Sequence, residues 1–178
     1  GQRRLMAVGD MQLVGRHNVS NLLAAFALSH AIGIDFEAMV KVGRTFKGLA
    51  HRVEFVCELE GVAFYDDSKG TNVGATVAAL KGASSPVVLI AGGQGKGQYF
   101  KPLKMALEKA RAVILIGEDS QLTAKALEVI SITLLFCETL EDASRQAFEI
   151  IQLVDMVLSS LLLASYDMFK GYAHRAHV

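Results

Sequence analysis

Short apolar runs alternate with helix-like segments from residue 53 onward, and this alternation is the strongest constraint on the fold. The apolar runs at 87–91, 113–116, 132–136 and 156–159 are largely continuous and do not alternate with polar residues. Such runs are typical of parallel strands that are covered on both faces. Helices are predicted between them, at about 71–80, 101–110, 120–130 and 139–151. The pattern therefore predicts an α/β domain with a mostly parallel sheet and helices on both faces.

A different pattern precedes this domain. Apolar residues at helical spacing predict an amphipathic helix over 18–32, and a second helix follows from the capping residue Asp35 to about residue 46. Glycine and polar residues over 47–52 then predict a linker, and Glu60-Gly61 predicts the turn of a hairpin. The expected units are a helical segment, 1–48, and the α/β domain, 49–178.

Composition narrows the class of protein. Hydrophobic residues make up 52% of the 178 residues, enough for a sizeable core, and 18 basic residues balance 18 acidic ones. This balance argues against a nucleic-acid surface, and the longest apolar stretch, 156–166, is too short to span a membrane. Cys57 and Cys137 lie in apolar runs and are expected to be small core residues of a reduced, cytoplasmic protein. Both termini look cut, which predicts a piece of a longer protein.

Polar loops follow three of the predicted strands. They begin at residues 66, 92 and 160, and ligands in parallel sheets bind beyond the carboxyl ends of the strands. In the first loop, Asp66 or Asp67 could hold a metal or a ribose and Lys69 a phosphate or carboxylate, although such a turn is often only a capped helix start. The glycine-rich second loop offers Lys96 to an anion, and its alternative is a flexible surface turn.

Two further candidates lie upstream of these loops. Asn18 and Asn21 are one helical turn apart, so their amides could meet a purine edge, or serve as a cap and a solvated side chain. Arg52 could fork onto a phosphate or simply pair with Glu54. The histidines and cysteines have no metal-ligand spacing, so no metal site built on these residues is predicted.

Five motifs in this order resemble the Mur ligases of peptidoglycan synthesis, and together they extend over essentially the whole chain. The third motif, Asp-Ser-Lys-x-Thr-Asn, resembles the branch of the family that adds D-glutamate. The motifs are Gly15-x-His17-Asn18-x-x-Asn21, Phe46-x-Gly48-Leu49-x-His51-Arg52-x-Glu54, Asp67-Ser68-Lys69-x-Thr71-Asn72, Gly92-Gly93-x-x-Lys96 and Ala164-Ser165-x-Asp167-x-Phe169.

The resemblance implies the last part of a three-domain enzyme. Residues 1–48 would be the end of the central ATP-binding domain, and residues 49–178 the Rossmann-like third domain that closes over ATP and receives D-glutamate. In the branch that adds D-glutamate, ATP with Mg²⁺ would phosphorylate the carboxylate of UDP-N-acetylmuramoyl-L-alanine. The D-glutamate amine would then attack the acyl phosphate. The P-loop and most magnesium ligands would lie outside this chain, so the fragment is expected to be inactive alone. The alternative is a non-catalytic nucleotide- or anion-binding module.

The resemblance also implies roles for single residues. Lys69 would neutralise developing charge as the catalytic residue. Gly70 stands where the family usually has alanine, and this difference is expected to be mild. The ligand contacts would be Asn21 to adenine, Arg52 to the ATP phosphates, Asp67 to ribose, and Thr71, Lys96, Ser165 and Tyr172 to D-glutamate.

Overall fold

The computed structural model of the chain describes residues 3–13, 15–92, 99–128, 130–152 and 155–160. The chain divides into two compact units, Gly1–Leu49 and Ala50–Val178. None of the described helices has both the length and the apolar character needed to cross a membrane.

The first unit contains a short 3-10 helix, Val8–Asp10, and the helices α1 (Arg16–Ala31) and α2 (Phe36–Thr45). The predicted cap of α2 is confirmed, because Asp35 Oδ2 accepts the N–H of Glu37 at 2.8 Å. Gly43 lets the helices approach closely, since a Cβ there would lie 2.9 Å from Phe26 Cζ. Phe26 is buried, whereas Leu23 on the predicted apolar face of α1 is 61% exposed.

The second unit is a six-stranded sheet with helices on both faces, which confirms the predicted fold class. The strand order is β1-β2-β6-β3-β4-β5. β1 pairs antiparallel with β2, and every other pair of neighbours is parallel. The strands are β1 (Glu54–Leu59), β2 (Val62–Asp66), β3 (Val87–Gly92), β4 (Ala110–Ile116), β5 (Thr133–Phe136) and β6 (Met156–Ser159). The helices are α3 (Val73–Gly82), α4 (Lys101–Ala106), α5 (Ser120–Leu127) and α6 (Leu140–Ile150), and a 3-10 turn, Leu107–Lys109, follows α4.

Two apolar clusters sandwich the sheet. Successive side chains of a strand point to opposite faces, so Leu89 of β3 packs in one cluster and its neighbour Ile90 in the other. The first cluster includes buried residues of α3, α4 and α5, and the second includes Ala143 and Ala147 of α6. All six residues of β3 are buried, as expected for a central strand covered on both faces.

The edge strand β1 departs from the sequence expectation. Glu60 and Gly61 have φ values of 52° and 80°, which suit the tight two-residue turn predicted for the hairpin. All six residues of β1 are exposed, and among the described strands β2 is its one neighbour, so β1 forms an edge of the sheet. The prediction that Cys57 is a core residue is therefore wrong. Cys137 is half-buried and packs against the second apolar cluster, which contains Ala143 and Ala147 of α6.

An ion pair joins two strands at their amino-terminal ends, on the rim opposite the polar loops. Arg111 donates to both carboxylate oxygens of Asp155, with Nη2 at 2.9 Å from Oδ1, and the Gln152 N–H donates to Oδ2 at 2.8 Å. Burial would raise the pKa of Asp155, but the hydrogen bonds from Arg111 and Gln152 outweigh it and hold this pKa below its ordinary value.

We expect Asp155→Asn to lower the free energy of unfolding of the full chain by about 2–3 kcal/mol, because it removes the charge from a buried, bidentate pair. Urea denaturation at neutral pH measures this difference. The matched control is Asp142→Asn, whose arginine partner Arg145 is 70% exposed, and its cost should be below about 1 kcal/mol.

The pH dependence of the difference follows from the lowered pKa of Asp155. The stabilisation is complete above the ordinary carboxyl pKa of about 3.9 and is lost as the pH falls through the lower pKa of the folded state. The gap between the wild type and Asp155→Asn should therefore narrow in acid. Equal costs of the two substitutions at neutral pH would contradict this account.

Candidate functional site

Three neighbouring parallel strands end side by side at one rim of the sheet. Asp66 of β2 pairs with Ser159 of β6, which pairs with Ile90 of β3. The ladder continues one step further, since the Asp67 N–H donates to the Ser159 carbonyl at 2.8 Å and the Ser160 N–H to the Ile90 carbonyl at 3.0 Å. The carboxyl ends of β2, β6 and β3 thus lie together at the edge of the sheet beyond which ligands bind in parallel sheets.

Asp67 is the buried centre of this rim. Only 4% of the residue is exposed, and its Oδ2 accepts the Ser160 hydroxyl at 2.9 Å. Its Oδ1 accepts the Val53 N–H at 3.3 Å. Behind it, the Thr76 hydroxyl of α3 lies 2.9 Å from that of Ser160. Segments from the start of β1, the end of β6 and α3 are therefore tied to one carboxylate.

The surroundings of Asp67 shift its protonation. Burial is the main cause that raises the pKa of this carboxyl above its ordinary value, and the nearby charge of Asp66 adds to it. The hydrogen bonds from Ser160 and Val53 and the charge of Arg52 act in the opposite direction. A buried carboxylate with a raised pKa at the carboxyl-terminal rim of a parallel sheet is a candidate functional group.

Asp66 organises the loop that follows β2. One carboxylate oxygen accepts the Ser68 N–H at 2.8 Å and also contacts the Ser68 hydroxyl. The other lies 2.8 Å from His51 Nδ1. Both oxygens of Asp66 thus hold the loop and His51 in place, which gives this carboxylate a structural role in the segment.

The segment that carries Arg52 has a strained backbone. His51 and Val53 have φ values of 63° and 48°, and positive φ is costly for a β-branched residue such as valine. The His51 N–H donates to Glu54 Oε2 at 2.8 Å, and the Lys69 N–H donates to the His51 carbonyl at 2.9 Å. Strain of this kind persists where surrounding contacts fix the conformation, and the exposed Arg52 lies between these two strained residues.

One group of three potential metal ligands occurs among the described residues. Ligand atoms of His51, Glu54 and Asp66 all lie within 4.8 Å of one another. Mg²⁺ prefers oxygen ligands in near-octahedral geometry, which an imidazole engaged in a 2.8 Å contact with a carboxylate does not supply. The group therefore does not fit magnesium and is accounted for by the loop contacts of His51.

The remaining predicted site residues fall into three groups. Lys69 is half-buried and Thr71 exposed in the loop after β2, and Asn72 caps α3 by accepting the Ala75 N–H at 3.0 Å. Part of this loop is therefore a capped helix start, which was the alternative given for it in the sequence analysis.

In the first unit, the exposed Asn21 donates to Asn18 Oδ1 at 3.4 Å, so the two amides share a face of α1. Lys96, Ser165 and Tyr172 lie outside the described residues.

Sequence reasoning missed the hydroxyl groups behind Asp67. Thr76 is fully buried on the face of α3 that also buries Val73 and Leu80, and Ser160 is fully buried directly after β6. The sequence did contain a signal for this pair. Thr76 lies among apolar residues on its helix face, and a buried hydroxyl needs a hydrogen-bond partner, which a polar residue at a strand end such as Ser160 can supply.

Comparison with known proteins identifies the family. Residues 51–160, more than half of the chain, match the Mur ligase, glutamate ligase domain. The chain belongs to the Mur ligase family. The matched segment begins at His51 of the strained segment and ends at Ser160, so it spans the whole rim built around Asp67.

Relatives of this Mur ligase chain extend well beyond it. It is 56% identical over 170 residues to a UDP-N-acetylmuramoylalanine–D-glutamate ligase of Chromobacterium violaceum, covering 95% of this chain and 38% of that protein. The chain therefore spans about two fifths of the length of this relative.

Two solved structures share its fold. They are the folylpolyglutamate synthase of Mycobacterium tuberculosis (TM-score 0.68, 15% identity, 86% of this chain and 39% of that one) and the UDP-N-acetylmuramate-alanine ligase of Thermotoga maritima (TM-score 0.66, 18% identity, 85% and 36%).

Gly70 provides the space for the Asp67 carboxylate. A Cβ at Gly70 would lie 2.0 Å from Asp67 Oδ2, far inside van der Waals contact. This crowding argues against the expectation that alanine and glycine are nearly equivalent here, because alanine requires the Asp67 carboxylate to move away from Ser160.

We expect Gly70→Ala to destabilise the full chain by about 1–3 kcal/mol, through overpacking and the disrupted Asp67–Ser160 hydrogen bond. Thermal or urea unfolding measures the cost. Gly9→Ala is the control, because nothing lies within 4 Å of a Cβ at Gly9 and its effect should stay within about 0.5 kcal/mol. A Gly70→Ala chain as stable as the control would contradict the proposed crowding.

Proposed function

We propose that this chain is the C-terminal portion of an ATP-dependent ligase that joins D-glutamate to UDP-N-acetylmuramoyl-L-alanine in bacterial peptidoglycan synthesis. The observation that carries the proposal is the match of nearly the whole chain, at 56% identity, to a relative named for this reaction. A match at 52% identity over 181 residues to a second ligase of the same name, from Aromatoleum aromaticum, supports it.

The proposed division of labour follows the two units. Residues 1–48 supply the end of the central ATP-binding domain, and residues 49–178 form the domain that closes over ATP. The P-loop and most Mg²⁺ ligands belong to parts of the complete protein outside this chain. Because its nucleotide and its UDP-linked substrate are cytoplasmic metabolites, we place the enzyme in the cytoplasm.

The reaction has two chemical steps. The γ-phosphoryl group of ATP moves to the carboxylate of the L-alanine residue, giving an acyl phosphate and ADP. The D-glutamate amine then attacks the acyl carbon, and inorganic phosphate leaves as the amide forms. Negative charge accumulates around the acyl phosphate, so preorganised cations lower the barrier, and Mg²⁺ supplies part of this charge when ATP is bound.

Residues of this chain bind and orient the reactants. In this proposal Asp67 accepts from the ribose hydroxyls, and Arg52, from the strained segment at residues 51–53, binds the phosphates. Lys69 acts as the catalytic cation close to the transferred phosphoryl group. The amide of Asn21 recognises adenine by donor and acceptor matching.

D-glutamate is a dicarboxylate, so its site needs a cation and several hydroxyl or N–H donors. We assign Lys96 as the cation and Thr71, Ser165 and Tyr172 as hydroxyl donors. Closure of this domain over the nucleotide would complete the site and exclude water from the acyl phosphate.

The experiment is a coupled phosphate-release assay on the complete protein that contains this chain. Phosphate release should require ATP, UDP-N-acetylmuramoyl-L-alanine and D-glutamate together, and L-glutamate should not replace D-glutamate. The 178-residue chain alone should show no turnover, since it carries only part of the site.

Two outcomes would contradict the proposal: turnover by the isolated chain, and release by the complete protein that does not depend on D-glutamate. Nucleotide binding without any ligation by the complete protein would favour the non-catalytic binding module instead.

A further inference from the structure

Two hydroxyl groups lie directly behind the Asp67 carboxylate, and no role in the proposed reaction has been given to them. Thr76 and Ser160 are both 0% exposed. They come from different elements, helix α3 and the residue after β6, and are 84 positions apart in the chain. Burying two hydroxyl groups is unfavourable compared with alanine or valine unless each is hydrogen bonded.

The hydrogen bonds run in one direction. A carboxylate only accepts, so the single hydroxyl hydrogen of Ser160 goes to Asp67 Oδ2 at 2.9 Å. Ser160 Oγ can then only accept from its other neighbour, and the Thr76 hydroxyl, 2.9 Å away, is the donor. The result is a relay from Thr76 to Ser160 to Asp67, in which each bond polarises the next.

We propose that Ser160, supported by Thr76, is a positioning residue that holds the Asp67 carboxylate for the ribose hydroxyls of the nucleotide. This inference rests on the proposed ligase function and on the ribose contact of Asp67. Each carboxylate oxygen can accept two hydrogen bonds, and within the described part of the chain Ser160 and Val53 each donate one, so a further acceptor position on each oxygen can serve a ligand.

The rest of the rim fixes the same orientation. Gly70 leaves the space that the carboxylate occupies, and Val53 holds the second oxygen from the strained segment. A rotated Asp67 would lose both bonds while it remained buried. The relay therefore restricts the carboxylate to one rotamer, and this restriction lowers the entropic cost of binding a ribose.

The relay also favours the ionised form of Asp67. The hydrogen bond from Ser160 opposes the rise in the pKa of this carboxyl caused by burial and by Asp66, and the charge of Arg52 acts with the bond. Without the Ser160 hydroxyl the pKa of Asp67 rises further, so a larger fraction is protonated at any given pH. A protonated carboxyl loses acceptor capacity, so the effect of removing Ser160 should grow as the pH is lowered.

The test compares two nucleotides on the complete ligase by titration calorimetry. ATP and 2′,3′-dideoxy-ATP differ only in the ribose hydroxyls that Asp67 would accept. Wild-type enzyme should bind ATP more tightly than the dideoxy analogue. Ser160→Ala should weaken ATP binding about tenfold and leave binding of the analogue unchanged. Thr76→Val, which keeps the shape of the side chain, should weaken ATP binding about threefold.

Ser159→Ala is the matched control, because it removes the hydroxyl of the preceding residue on the same strand. It should change neither affinity. Lowering the pH should enlarge the ATP-specific loss in Ser160→Ala and not in the control.

Two results would overturn the inference. Equal losses for both nucleotides in Ser160→Ala would show a merely structural role, and unchanged ATP binding would show that Ser160 does not act on the ribose contact. Failure of the proposed function would show in a different measurement, because the wild-type protein would then release no phosphate in response to D-glutamate. Wild-type enzyme that releases phosphate but binds both nucleotides equally would overturn the Asp67 ribose contact and this inference with it.

Discussion

The buried carboxylate of Asp67 is the constraint on which the carboxyl-terminal rim of the sheet depends. Removing a carboxylate from water is costly, and the cost is tolerable only where hydrogen bonds replace the lost hydration. Here the replacements come from Val53 ahead of β1 and from Ser160 after β6. The same interaction that satisfies Asp67 therefore fixes the relative positions of the strained segment, the strand ends and helix α3.

A buried carboxylate lies at each rim of the sheet, and the two carboxylates are stabilised by different partners. At the amino-terminal rim, Asp155 is paired with the guanidinium of Arg111, and its pKa is lowered in spite of burial. At the carboxyl-terminal rim, Asp67 has mainly neutral donors, and burial raises its pKa. In the Asp155–Arg111 pair the negative charge is compensated, so little of it remains to attract a ligand. Asp67 is held by neutral hydroxyl and amide groups, so its negative charge can still attract a ligand. This contrast fits a structural role for one rim and a binding role for the other.

The architecture was largely readable from the sequence because continuous apolar runs and strand-end loops reflect burial on both faces of a parallel sheet. The exposure of Cys57 could not be predicted from the sequence, since an apolar run does not reveal whether its strand lies at an edge of the sheet. Thr76 and Ser160 are 84 residues apart and meet only after β6 inserts between β2 and β3. The crowding at Gly70 depends on one side-chain rotamer, which residue types and spacing do not specify. The family motifs predicted Asp67 as a ligand residue without revealing what holds it in place.

Hydrogen–deuterium exchange of the complete protein, measured with and without ATP and D-glutamate, is the most direct test of the proposal that the carboxyl-terminal rim is the ligand side of the sheet. The account predicts slower exchange on ligand addition at residues 66–76 and 159–160, where the loop after β2 and the end of β6 meet. It predicts no change at residues 110–112 and 155–156, at the rim held by Arg111 and Asp155. Protection confined to that opposite rim, with none around Asp67, would contradict the account.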